Sequence, residues 1–137
     1  MKSAVRYTAM AALVALLATT LPAAADDSDA REDSAGQVAA TWFTSLMRGD
    51  TAVTTSLSAV PFSFDAKHEI KTLHELKKIY DGVVAKKGKR DLRPSSLEIG
   101  RSTPQEVIVV IMIEGDDEKI AIMVQPGEAF RVTGFRD

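Results

Sequence analysis

Residues Val107-Ile108-Val109-Val110-Ile111-Met112-Ile113 are apolar at every position, and all but Met112 are β-branched. A run this short and this branched reads as a strand, and one without polar alternation reads as a strand covered on both faces. The chain must therefore build a sheet and put something on each side of it. Glu118–Val124 and Ala129–Phe135 are further strand-like runs, separated by Gly115-Asp116-Asp117 and Pro126-Gly127. Such short separators predict an antiparallel meander, with Ser96–Arg101 adding a strand before it. Upstream helices can cover one face. The other face has no helix left to meet, so the expectation is a second subunit across the sheet, a two-fold homodimer.

The helices are written before the sheet. Ser34-Ala35-Gly36-Gln37 has the capping-box pattern, and Val38, Ala39, Trp42, Phe43, Leu46 and Met47 follow at helical spacing until Gly49 stops the run. Asp50 or Thr51 can cap a shorter helix through Leu57, which Pro61 ends. Phe62-Ser63-Phe64-Asp65 alternates like a short strand, and 67–71 reads as a turn or irregular strand. Thr72-Leu73-His74-Glu75 is a second capping box, opening a stripe of Leu73, Leu76, Ile79, Tyr80, Val83 and Val84 that Gly88 closes.

The N-terminus predicts export. Lys2 and Arg6 precede the apolar run Tyr7–Leu21, then Pro22 and Ala23-Ala24-Ala25 offer a small-residue cleavage site. The apolar run falls short of the twenty or so residues a membrane span needs. The expected organisation is a signal peptide over 1–25, an unstructured acidic leader over 26–33 and one domain over 34–137, periplasmic or secreted, with no membrane contact after cleavage. Loss of Lys2 and Arg6 takes the basic count from 17 to 15 against 19 acids, a net charge of −4. That balance, without a basic stripe, argues against nucleic acid. The chain contains no Cys, so packing alone must hold the domain.

The order helix, short helix, Phe-containing strand, long helix and meander resembles the NTF2-like superfamily, in its SnoaL-like or ketosteroid-isomerase-like form. The resemblance rests on Arg48-Gly49-Asp50, Pro61-Phe62-Ser63-Phe64-Asp65, Lys71-Thr72-Leu73-His74-Glu75-Leu76 and the closing Gly134-Phe135-Arg136-Asp137. It implies an α+β cone, a curved and mostly antiparallel sheet wrapped around two to three N-terminal helices, with a pocket at the open end. Dimers through the sheet are implied as well.

Catalysis in such a pocket needs a carboxylate base and an opposing hydrogen-bond donor. Asp65 and Tyr80 are the one plausible pair, although Asp65 also suits a turn at a strand end and Tyr80 a buried helix stripe. His68 falls in a polar connection, and His74 shares a helix side with Lys77, Lys78 and Asp81, so neither makes a convincing acid or base. Two His without Cys make no dedicated metal site, and no nucleophile elbow or phosphate loop is present, so no metal or cofactor is expected. An apolar pocket lined by Trp42, Phe43, Phe62, Phe64, Tyr80 and Phe135, with Arg131 anchoring an anionic group, is the remaining candidate; the competing reading makes all six rings core. Lys86, Lys87, Lys89, Arg90 and Arg93 form the densest basic cluster, read as a solvated loop. The leading expectation is non-catalytic binding of a small apolar molecule or a protein partner. An isomerase or dehydratase using Asp65 and Tyr80, and a purely structural dimerisation domain, are the alternatives.

Overall fold

The computed structural model describes the backbone of residues 15–136 apart from 66, 114, 116 and 117, and side chains from residue 28 onward. Lys2, Arg6 and the apolar run as far as Val14 lie outside the described residues, as do Asp116 and Asp117 of the first separator. The chain divides into two units, Met1–Arg31 and Glu32–Asp137. Helix α1 (Ala15–Arg48) includes residues of both. In the first unit its backbone is helical through Pro22 and on through Asp26–Arg31, where an unstructured leader was expected. Alanines at 23–25 and 30 favour helix, and no Gly interrupts before Gly36. Ser34 consequently lies inside a helix and does not cap one.

In the second unit, α1 ends where expected. Gly49 takes φ 86°, its amide donates to the Leu46 carbonyl, and Asp50 donates to Ser45. Helix α2 (Thr51–Ser56) follows with Asp50 as its N-cap residue, although no side-chain cap bond forms. Strand β1 (Ser58–Phe64) starts four residues before the expected Phe62 and passes through Pro61. Pro61 lies where the pairing register of β1 slips, between Ser58 and Ser63, so its missing N–H removes no regular ladder bond. A turn leads to β2 (His68–Ile70).

Helix α3 (Leu73–Lys87) carries its capping box as written: Thr72 Oγ1 accepts from the Glu75 amide at 3.1 Å, and Gly88 at φ 81° closes the other end. Thr51 Oγ1 donates to Asp81 at 2.5 Å and Lys77 donates to the other carboxylate oxygen at 3.0 Å, tying α2 to α3. These hydrogen bonds, Thr51 first, hold the Asp81 carboxyl below the usual range.

Strands β3 (Pro94–Ser102), β4 (Val107–Ile113), β5 (Lys119–Gln125) and β6 (Arg131–Arg136) form the expected antiparallel meander. The complete sheet has the order β2-β1-β6-β5-β4-β3, mixed because β1 pairs with β6 in parallel. The architecture is thus α+β, helices followed by a six-stranded mixed sheet. Within the chain, β4 is fully covered on one face only. Val107, Val109 and Ile111 are fully buried, while Ile108, Val110 and Met112 on the other face are only half-buried.

Candidate functional site

Five of the six rings expected to line a pocket pack against one another, and Phe43 lies in the same hydrophobic core. Trp42 stacks on Phe62 at 6.2 Å between centroids, meets Tyr80 edge-on at 5.9 Å and lies 5.6 Å from Phe135. Phe64 completes the cluster, 5.1 Å from both Phe62 and Phe135. Trp42, Phe43, Phe62 and Tyr80 are at most 2% exposed. Helix α1 supplies Trp42 because its Val38–Met47 stripe faces the sheet; β1 supplies Phe62, and Phe135 comes from β6, the strand paired to β1.

Polar groups within this cluster satisfy each other. Trp42 Nε1–H points between Ser58 Oγ at 3.1 Å and Tyr80 Oη at 3.2 Å, and these two oxygens are 2.8 Å apart. Ser58 Oγ donates its single proton to the Thr54 carbonyl at 2.8 Å, so Tyr80 is the donor in the Ser58–Tyr80 bond. Its proton is therefore committed, and burial pushes the phenol up to about 12, with the Ser58 and Trp42 hydrogen bonds acting against that rise. A tyrosine held this way has no hydrogen left for a substrate oxygen.

Asp65 stands elsewhere. It follows β1 in the turn to β2 with φ 53°, its amide donating to the Phe135 carbonyl at 3.2 Å, and it is exposed. Asp tolerates this left-handed backbone better than most residues, which accounts for its presence there. Arg131 is half-buried at the start of β6 and donates to the Phe130 carbonyl at 3.1 Å. His68 and His74 are both exposed, on β2 and α3. Among the described residues, no three His, Asp or Glu side chains converge as a metal-ligand group.

Open space lies on the opposite side of α1. Two adjoining grooves, of about 610 and 410 Å³, run between α1 and the edge strand β3 and share Ala40 and Leu97. Neither is lined by Asp65, Tyr80, Arg131 or any of the clustered rings. The helix side is a row at four-residue spacing, Glu32, Gly36, Ala40, Thr44 and Arg48, whose small central members keep the helix surface low. A Cβ added to Gly36 would meet nothing within 4 Å. The strand side presents Leu97 and Ile99, 45% and 37% exposed although they pair with the buried Ile111 and Val109 on the inner face.

Charge differs between the ends. Glu32 and Asp33 lie at one, Arg48 and Arg93 at the other, beside the hydroxyls of Thr44, Ser95 and Ser96. Arg48 is engaged by Asp91 at 3.0 Å, and the exposed Arg93 makes no ion pair among the described residues. The sequence carried this site in two faint signals: the small-residue row on the back of α1, and the alternation of Leu97 and Ile99 with Ser96 and Glu98.

No protein-family model and no curated protein matches the chain. Among solved structures it is similar to a protein of unknown function with a cystatin-like fold from Nostoc punctiforme, at TM-score 0.52 and 13% identity over 73% of this chain and 84% of that one. It is also similar to a DUF4783 family protein from Bacteroides ovatus, at TM-score 0.43 and 10% identity, covering 71% and 90%. The first likeness shows the fold, which is cystatin-like. The expected membership of the NTF2-like superfamily, with its SnoaL-like form, is corrected accordingly. The short motifs that suggested it, around Gly49, Asp65 and Thr72, are turn and capping devices that encode local backbone, as their geometry here shows.

Proposed function

We propose that this is an exported, non-catalytic binding domain, periplasmic or secreted, whose site is the groove between α1 and β3. The ligand is an elongated small molecule with an apolar body and an anionic end. One observation carries the reading: Leu97 and Ile99, on the inner face of the sheet, face open space in a groove with basic and hydroxyl groups at one end. An apolar chain laid along Ala40, Leu97 and Ile99 would cover them, and a carboxylate would meet Arg93. In this reading the sheet curves around the helices, which the irregular pairings of β3 with β4 and of β5 with β6 support. Export is supported by Lys2, Arg6 and the Ala23-Ala24-Ala25 site. No helix among the described residues is long and apolar enough to cross a membrane.

Isothermal titration of the purified chain with dodecanoate tests this. Saturable one-site binding is expected, weakened about ten-fold by Arg93→Ala, in line with a charge-assisted contact. Binding unchanged in both Arg93→Ala and Leu97→Ser, or no binding, would refute the assignment.

A further inference from the structure

The outer face of the sheet carries a pattern that the groove does not use. Pairing registers place Glu98, Val110, Ala121 and Arg136 in one row across β3, β4, β5 and β6. Val110 and Ala121 are half-buried, whereas Glu98 and Arg136 at the ends are exposed. The next row is Arg101, Ile108, Met123 and Gly134. Together the rows put a strip of aliphatic side chains in the middle of an uncovered face, with Glu98 and Arg101 at the β3 border and Arg136 at the β6 border. Neither Glu98 nor Arg136 forms an ion pair among the described residues.

We propose that a second copy of this chain covers this face, related by a two-fold axis that runs along the strands between β4 and β5. Such an axis reverses each row upon itself. Glu98 then stands over the partner's Arg136 at both ends, and Val110 stands over the partner's Ala121 at the centre. In the second row Arg101 stands over the partner's Gly134, which its own Met123 and Ser63 side chains flank, and Ile108 meets the partner's Met123. An axis running across the strands would instead set Glu98 over Glu98 and Arg136 over Arg136, so charge selects the first arrangement. Sheets packed face to face are turned by about 30°. With strands about 4.8 Å apart, this moves the row ends by about 4 Å, within reach of an Arg side chain. The surface is separate from the α1–β3 groove: on β3, Leu97 and Ile99 face the groove and Glu98 faces outward.

Sedimentation equilibrium on the full chain and on charge-reversed variants tests the arrangement. Wild type should sediment as a dimer at micromolar concentration, and Glu98→Arg or Arg136→Glu alone should each weaken dimerisation about ten-fold or more. The double variant Glu98→Arg/Arg136→Glu should return the dissociation constant to within about three-fold of wild type, which also shows that these positions fold normally. A monomeric wild type, single variants that dimerise as before, or a double variant no tighter than the singles would each overturn the proposal.

Discussion

The two long faces of α1 have opposite neighbours. One face presents Trp42, Phe43 and Leu46 to a sealed interior in which Trp42, Ser58 and Tyr80 hydrogen-bond one another. The other presents Gly36, Ala40 and Thr44 across a gap to Leu97 and Ile99. The helix backbone is the same on both sides, so side-chain volume decides which side closes. The residues that look most chemical, a tryptophan, a tyrosine and a set of phenylalanines, are those that folding consumes. The small residues leave the α1–β3 groove open.

That contrast can be broken by mutation. Trp42→Ala should show the largest effect, lowering unfolding free energy in a urea titration by about 3–5 kcal/mol, the usual range for truncating a fully buried aromatic. A loss below about 1 kcal/mol would mean the interior is not sealed. The Tyr80 phenol gives the next largest effect, through pH. Its folded-state value lies near 12 against an ordinary 10.0, so between these values the unfolded chain binds fewer protons than the folded one. Stability that is complete below pH 10 should therefore fall as pH rises toward 12, by up to about 3 kcal/mol, and Tyr80→Phe should flatten that slope. Denaturation midpoints compared between pH 9 and 11.5 would measure it, and equal slopes in the two proteins would place the titrating group elsewhere.

The open face predicts the reverse behaviour. Gly36→Ala should raise stability by about 0.5–1 kcal/mol, because Ala is the better helix former and its methyl group meets no neighbour within 4 Å. Leu97→Ser should change stability least, within about 0.5 kcal/mol, since Leu97 is 45% exposed, while weakening dodecanoate binding. A large loss of stability in either would show that the groove is closed by packing in solution.

Much of the second unit was legible because its signals are local. The capping box at Thr72, the left-handed stop at Gly49 and the β-branched runs of the meander each specify backbone within a few residues, and all are realised. Ser34 shows the limit of such signals: its capping pattern is present, yet flanking helix formers carry the helix through it. The α1–β3 groove was harder to read because it depends on distance between two elements that lie some fifty residues apart in the sequence. Tyr80 was read correctly as a stripe residue, but the sequence alone did not reveal that Ser58 and Trp42 would occupy its hydroxyl. The NTF2-like resemblance failed because turn and cap motifs recur wherever the same local backbone is needed.

The most direct test of the division between sealed and open faces is a ¹H–¹⁵N correlation titration with dodecanoate. Progressive shifts are expected for the amides of Ala40, Thr41, Ser95, Ser96 and Leu97, with the Trp42 indole N–H resonance left in place by its bonds to Ser58 and Tyr80. A moving indole resonance together with static β3 amides would put the ligand among the rings and contradict the assignment of binding to the α1–β3 groove.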